Sequence, residues 1–281
     1  MKKACLIIGV VLLVAVAAGV IVALLSRVDL GDKIAVLPIE GPIVDSHDAV
    51  EDLKEYVKNP SIKAIVVRVD SPGGAVAPSQ EIYEEIKKAA LKKKVVVSMG
   101  SIAASGGYYI SAPATKIMAN PGSITGSIGV IMELPNFEGL MKKIGVKTEV
   151  IKAGDHKDLA SVFRELDPEE RAIIQGVLND VHEQFIMAVS EGRKMPVEKV
   201  REIADGRIFS GKQALGAGLI DQLGGLEDAI DAAKSLSGIK GEVTIIRKKK
   251  RGGFLDLLTG KTSLAFPQAS PGIAFKYIYS P

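Results

Sequence analysis

Residues 64–74 read Ala-Ile-Val-Val-Arg-Val-Asp-Ser-Pro-Gly-Gly, and this stretch decides the fold. Its first six residues are rich in β-branched side chains and carry a single charge, which is typical of a buried strand. The two glycines at its end allow backbone conformations that are closed to other residues. The stretch therefore predicts a buried strand that runs directly into a tight turn.

Short apolar runs alternate with amphipathic segments on both sides of this strand. The further predicted strands lie at 34–39, 95–99, 117–119, 127–131, 148–151 and 242–246. The predicted helices lie at 49–57, 78–91, 137–144, 167–191, 196–204, 211–217 and 226–235. Alternation of this kind predicts an α/β fold in which most strands pair in parallel.

Composition excludes several classes of protein. The 281 residues are 47% hydrophobic and 25% charged, which suits a chain with a sizeable core. The net charge is +3 and no long basic stripe crosses the body of the chain, so we expect no nucleic-acid partner. No Gly-x-x-x-x-Gly-Lys-Ser/Thr phosphate loop occurs, and we expect neither a cofactor nor a metal.

The N-terminal segment, residues 1–27, is predicted to be a membrane anchor. Lys2 and Lys3 are followed by an uncharged stretch over 4–26 that Arg27 closes. A helix needs about 20 apolar residues to cross a bilayer, whereas a cleavable signal peptide has about 7–15. We therefore expect an uncleaved single-pass helix in the cell membrane. The two lysines favour an N-terminus inside the cell, which places the rest of the chain on the extracytoplasmic side.

The rest of the chain divides into one domain, 33–246, and a tail, 247–281. The tail contains Gly252-Gly253, three prolines and little periodicity, so we expect it to be loosely attached or mobile. It opens with the basic run 247–251, which is typical of a solvated surface segment, with contact to anionic lipid as the alternative.

A candidate nucleophile, Ser105, lies in the segment Ala-Ala-Ser-Gly-Gly-Tyr-Tyr at 103–109. Small neighbours at a helix start would hold this serine on a cramped turn and let a substrate backbone approach. The N–H group of Gly106 beside it, and those of the two glycines at 73–74, could form an oxyanion hole. Each segment taken alone is also typical of a purely structural turn or helix start.

A serine hydroxyl needs a general base. Among the three histidines the plausible base is His156, in the polar turn 153–158. Lys157 in the same turn is the alternative. A lysine can act as base only if desolvation or nearby positive charge lowers its pKa. The residues by themselves leave both candidates open.

Five segments, in this order along the chain, resemble the signature segments of the signal peptide peptidase A family. They are Ser-Pro-Gly-Gly at 71–74, Ala-Ala-Ser-Gly-Gly-Tyr-Tyr at 103–109, Thr-Gly-Ser-Ile-Gly-Val at 125–130, Gly-Asp-His-Lys-Asp at 154–158, and 209–221 with Phe-Ser-Gly at its start and Gly-Leu-Ile-Asp at its end. Each motif alone is weak, but the ordered set is specific and covers most of 34–238.

The resemblance implies roles for individual residues. Ser105 matches the nucleophile, and Lys157 matches the general base in place of His156. Ser127 matches the serine that hydrogen-bonds this lysine and orients it. The positions whose backbone N–H groups form the oxyanion hole are Gly73, for which Gly74 could substitute, and Gly106.

The resemblance also implies a fold and an activity. The fold would be the spiral of ββα units shared by the caseinolytic protease and crotonase superfamily. The activity would be that of a membrane-anchored serine endopeptidase acting on remnant signal peptides and other apolar peptides. Because one domain carries both dyad residues, the chain resembles the short form, whose subunits assemble into a ring or dome, so we expect a homo-oligomer.

Three other functions fit the same fold. One is a membrane-bound Ser-Lys protease that cleaves stomatin-like proteins. Another is a catalytically silent membrane scaffold, although retention of both Ser105 and Lys157 argues against it. The third is a crotonase-like acyl-thioester enzyme, which a membrane anchor fits poorly.

Overall fold

The structure is a computed structural model that describes residues 31–248 and 276–279. The strands of this part are β1 (Lys33–Glu40), β2 (Ile62–Ser71), β3 (Gly73–Ala75), β4 (Lys94–Ala104), β5 (Lys116–Ala119), β6 (Ile124–Gly126), β7 (Ile208–Ser210), β8 (Gln222–Leu223), β9 (Thr244–Arg247) and β10 (Lys276–Ile278). Its helices are α1 (His47–Lys58), α2 (Val76–Ala90), α3 (Gly106–Ser111), α4 (Glu138–Lys143), α5 (Pro168–Arg193), α6 (Val197–Ile203), α7 (Gly211–Gly216) and α8 (Leu226–Leu236).

Eight strands form the main sheet, in the order β7-β6-β4-β2-β1-β9, with β5 paired to β4 and β8 paired to β5. Strand β4 pairs with β5 through its first half and with β6 through its last three residues. Every ladder of this sheet is parallel except that between β6 and β7. The predicted mixed α/β fold with mostly parallel pairing is therefore confirmed.

Both faces of the sheet are buried, which explains the uninterrupted apolar run in β2. Ile65, Val67 and Val69 point into the larger hydrophobic core, to which α1, α2, α3 and α5 contribute. Ala64 and Val66 point the other way, into a smaller core against α8. A parallel strand covered on both faces reads as a continuous hydrophobic run rather than an alternating one.

Two predicted strands are corrected by the structure. The predicted strand at 148–151 is irregular, because Val150 and Ile151 are 50% and 95% exposed and these residues pair with no strand of the described chain. The predicted strand at 127–131 lies earlier, at Ile124–Gly126. Ser127 has φ 51°, and this left-handed backbone ends the extended conformation there.

The predicted membrane anchor, residues 1–27, falls outside the described residues. None of the helices within 31–248 is long and apolar enough to span a bilayer. Residues 276–279 are the only described part of the tail beyond Lys248. They form a second, two-stranded sheet in which β10 lies antiparallel to β3.

Burial predicts how substitutions in the sheet affect stability. Ile65 is fully buried in the larger core, whereas Leu91, at the end of α2, is 85% exposed. Ile65→Ala should lower the free energy of unfolding by about 2–5 kcal/mol through lost burial and cavity formation. Leu91→Ala is the matched control and should change it by less than about 0.5 kcal/mol. Urea denaturation of both variants measures the difference, and equal effects would contradict the assigned core.

Candidate active site

Ser105 has an unusual backbone conformation at the junction of β4 and α3. Its φ is 52° and its ψ is −117°. Its N–H donates to the carbonyl of Gly126 at 2.8 Å, and its own carbonyl accepts from the N–H of Tyr109 at 2.8 Å. Such a conformation costs about 1–3 kcal/mol in a residue with a side chain and persists where the surroundings impose it, often in active sites.

Ser127 is brought to the same end of the sheet by the pairing of β4 with β6. Ala104 lies opposite Gly126 in this ladder, so the residues that follow them, Ser105 and Ser127, emerge side by side. The N–H of Ser127 donates to the carbonyl of Arg207 at 2.8 Å. Both serines are buried, at 1% and 8% exposed.

Gly73 and Gly106 adjoin each other beside Ser105. A Cβ atom on Gly73 would lie 2.6 Å from the nitrogen of Gly106, and one on Gly106 would lie 3.1 Å from the Cα of Gly73. Gly73 also has φ +98°, a conformation that favours glycine. Its N–H donates to the Oγ of Ser71 at 3.1 Å, so this donor is engaged within its own turn.

Strand β10 covers these glycines. Tyr277 lies opposite Gly74 in the ladder with β3, and its carbonyl oxygen would overlap a Cβ atom placed on Gly73. On the other side, Lys276 and Ile131 exchange two backbone hydrogen bonds of 3.2 Å. Residues 276–279 are thus held by main-chain contacts on both sides. Residues 249–275 and 280–281 of the tail that was predicted to be loosely attached lie outside the described residues.

The side chain of Tyr277 fills an aromatic pocket. Its ring is fully buried, stacks on Tyr109 with centroids 5.1 Å apart, and contacts Phe185 at 4.8 Å. Its hydroxyl donates to the carbonyl of Val181 at 2.9 Å. Burial raises the pKa of Tyr109 to about 12, which is consistent with the apolar surroundings of its ring. The pocket therefore suits a large, mainly apolar side chain.

Lys157 lies on an exposed turn. Its N–H donates to the carbonyl of Gly154 at 3.2 Å. Within residues 31–248 and 276–279 its ammonium makes no hydrogen bond or ion pair, with Ser105 or with any other residue. His156 is exposed on the same turn, with Nε2 3.8 Å from Glu169 Oε1. The structure therefore brings together Ser105, Ser127 and the glycines, but not Lys157.

Sequence reasoning missed the strand β10 and the pocket of Tyr277. The residues Tyr-Ile-Tyr at 277–279 combine aromatic and β-branched side chains, which is typical of a strand. This run is too short to stand out after a region without periodicity. Among the described residues, no group of three or more His, Cys, Asp or Glu side chains is placed to hold a metal ion.

Residues 87–240, more than half of the chain, match the family model of Peptidase family S49. The chain belongs to Peptidase family S49. Residues 43–125 also match the Clp protease family, in agreement with the mixed α/β fold described above. Both matches span Ser105, and the S49 match also contains Lys157.

Relatives agree with the S49 assignment. A provisionally named protease of Synechocystis sp., slr0021, is 49% identical over 208 residues, which are 74% of this chain and 75% of the relative. A provisionally named signal peptide peptidase SppA of Enterococcus faecium is 36% identical over 79% of this chain and 69% of its own length. Protease 4 of Salmonella typhi is 34% identical over 88% of this chain and 42% of its own length. The chain is therefore a serine peptidase of the signal peptide peptidase A family.

The close approach of Gly73 and Gly106 predicts that neither tolerates a side chain. Gly73→Ala would press a methyl group against the nitrogen of Gly106 and force a left-handed backbone on alanine. We expect kcat/KM for peptide hydrolysis to fall by about 100-fold or more, the size of effect seen when an oxyanion donor is lost. Gly122→Ala, in open space at the surface, is the control. Equal activity of the two variants would show that the site tolerates a side chain at position 73, contrary to the close contacts described here.

Proposed function

We propose that this chain is a membrane-anchored serine endopeptidase that hydrolyses remnant signal peptides and other apolar peptides with a Ser105–Lys157 dyad. The observation that carries the proposal is the backbone of Ser105, held at φ 52° between two elements and beside the adjoining glycines Gly73 and Gly106. In the proposed complex, a substrate carbonyl would meet the Ser105 hydroxyl and nearby backbone N–H groups, as acyl transfer requires.

The proposed reaction has two halves. Neutral Lys157 accepts the proton of Ser105 as the serine Oγ attacks the peptide carbonyl carbon. Backbone N–H groups of Gly106 and of Gly73 or Gly74 stabilise the oxyanion. Protonated Lys157 then donates its proton to the leaving amine as the C–N bond breaks, as histidine does in the Ser-His-Asp triad. Water, deprotonated by Lys157, hydrolyses the ester on Ser105 and regenerates the enzyme.

Assembly would complete this dyad. A lysine base must be desolvated to be neutral, and the exposed turn of Lys157 in a single chain provides no such cover. The neighbouring segment exposes an unusual number of large apolar side chains: Phe137, Leu140, Ile144, Val146, Val150, Ile151 and Phe163. Large exposed apolar surfaces mark interaction sites. We propose that a second copy of the chain covers this segment and buries the lysine.

A peptide substrate would bind where β10 lies. Lys276–Ile278 pair with β3 on one side, and Lys276 forms a single bridge with Ile131 on the other, so an extended chain in this position has main-chain partners on both sides. Binding by strand addition takes its affinity from such bonds and its specificity from side-chain pockets. The pocket that holds Tyr277 would then accept a large apolar or aromatic residue near the cleaved bond.

Membrane anchoring in this proposal comes from the sequence. The uncharged stretch 4–26 has the length of a bilayer-spanning helix, and Lys2 and Lys3 favour a catalytic domain on the extracytoplasmic side. Apolar signal peptides left in the membrane would reach an enzyme tethered there. The Enterococcus faecium relative carries the name of such a peptidase.

The dyad is tested with the full chain in detergent and a synthetic signal peptide as substrate. Ser105→Ala and Lys157→Ala should each lower kcat by at least about 1,000-fold, because nucleophile and base act as a unit. Lys240→Ala, at an exposed lysine outside the segment proposed to meet a second copy, is the control and should keep full activity. Wild-type activity in Lys157→Ala would show that Lys157 is not the general base. Cleavage of a stomatin-type apolar C-terminal segment in preference to signal peptides would favour the other Ser-Lys protease.

If β10 occupies the position of the substrate, residues 276–279 compete with the peptide substrate for binding. A chain ending at residue 275 should have a KM about tenfold lower than the full chain, because a tethered segment competes at millimolar effective concentration. A synthetic peptide of residues 276–281 should inhibit the shortened chain competitively. An unchanged KM together with no inhibition would show that substrates bind elsewhere.

A further inference from the structure

The residue that follows Lys157 is firmly held, although Lys157 itself is exposed. The carboxylate of Asp158 accepts a hydrogen bond from Arg164 Nε at 3.0 Å and another from Lys152 Nζ at 2.5 Å. Its side chain is only 13% exposed. These two cations, Arg164 first, hold the pKa of the Asp158 carboxyl well below its usual range. Asp158 is therefore a charged anchor point for the turn.

Arg164 extends this anchor to a second carboxylate. Its Nη1 donates to Glu170 Oε2 at 2.6 Å and its Nη2 to Glu170 Oε1 at 2.5 Å. The Glu170 side chain is 2% exposed, and a carboxylate buried to this degree needs a charged partner. A two-pronged arginine–carboxylate pair fixes direction as well as distance. Arg164 thus joins Asp158 and Glu170 rigidly, through one planar guanidinium group.

Glu170 belongs to the rigid body of the protein. It lies in the first turn of α5, where its N–H donates to the capping side chain of Asp167 at 2.8 Å. Helix α5 is 26 residues long and buries Phe185 and Val189 in the larger core. The contacts therefore run from the core through α5, Glu170 and Arg164 to Asp158, the neighbour of Lys157.

We propose that Arg164 is the positioning residue for Lys157, acting by clamping Asp158 to Glu170 at the start of α5. The inference rests on the proposed function, in which Lys157 is the general base. Arg164 does not touch the reacting atoms. It restricts the turn so that the lysine amine meets the Ser105 hydroxyl when the active site is assembled. Misplacement of a catalytic group by about 1 Å can cost about 100-fold in rate.

The same contacts would also stabilise the start of α5, and the experiment must separate the two roles. Asp158→Ala leaves the pair of Arg164 with Glu170 intact and removes the carboxylate contacts of residue 158 with Arg164 and Lys152. Arg164 Nη2 keeps only its 3.3 Å hydrogen bond to the backbone carbonyl of residue 158. Asp158→Asn keeps one acceptor oxygen and is the conservative rescue. Arg164→Lys keeps the charge but loses the planar fork. The matched control is Arg201→Ala. It breaks an exposed two-pronged ion pair with Glu183, which lies on α5 as Glu170 does.

The variants are measured in the full chain by kcat, KM, the pH profile of kcat and thermal unfolding. Asp158→Ala and Arg164→Lys should lose about 10–100-fold in kcat with KM nearly unchanged, since the base and not the substrate is displaced. The rising limb of their pH profiles should move to higher pH, because a lysine outside its desolvated position ionises more like a free amine. Asp158→Asn should lie between Asp158→Ala and the wild type, and Arg201→Ala should match the wild type.

Other outcomes overturn the inference. Wild-type kcat and pH profile in Asp158→Ala, with Lys157→Ala inactive, would leave the dyad standing and assign Arg164 a purely structural role. A lowered unfolding temperature in Arg164→Lys, together with an unchanged kcat of the folded enzyme, would also assign Arg164 a purely structural role. Wild-type activity in Lys157→Ala, measured in the same series, would remove the proposed function and this inference together.

Discussion

Strand β4 makes the hydrogen bonds on which the rest of the structure depends. It pairs with β2 along one edge and, in succession, with β5 and β6 along the other. Its last pairing, Ala104 with Gly126, sets Ser105 beside Ser127 and supplies the carbonyl that holds the Ser105 N–H. The positive φ of Ser105 thus occurs directly after this pairing, where its N–H is bonded to β6. This backbone conformation is the reason why the end of β4 is a candidate site for a nucleophile.

The small residues around Ser105 follow from the same constraint. Gly107 packs so closely that a Cβ atom on it would lie 2.6 Å from the carbonyl oxygen of Ser71. Strand β2 bulges between Val69 and Ser71, which brings the turn after it against the start of α3. Two turns from separate parts of the sequence can approach this closely only without side chains. The glycines of the Pro-Gly-Gly and Ser-Gly-Gly segments are therefore needed for the same reason, which is that the two segments pack against each other.

Much of the fold could be predicted because its signals are local. The β-branched runs of β1, β2 and β4 and the cap Asp167-Pro168 before α5 act within a few residues, and the elements they predict are present. The strand predicted at 148–151 failed because apolar content alone does not supply a partner strand. The strand β10 was missed because its partner, β3, lies about 200 residues earlier in the chain. Likewise, the burial of Glu170 depends on Arg164 and on the packing of α5, and a capping glutamate in a sequence is normally taken as exposed.

The candidate site also contains residues that the sequence could predict and residues that it could not. Ser105 and its glycines could be singled out from residue types, but the choice of Lys157 over His156 rested on the family resemblance. The structure places both on an exposed turn, so geometry within one chain does not choose between them. The turn that carries both residues is held at Asp158, which Arg164 links to Glu170 at the start of α5.

The most direct test of the account is mass-spectrometric labelling of the full chain with a serine-reactive acylating probe across a range of pH. The account predicts a single acyl group on Ser105, formed faster as pH rises and absent in Lys157→Ala. Labelling of Ser105 at the same rate in Lys157→Ala, or no labelling of Ser105 in the folded and assembled protein, would contradict it.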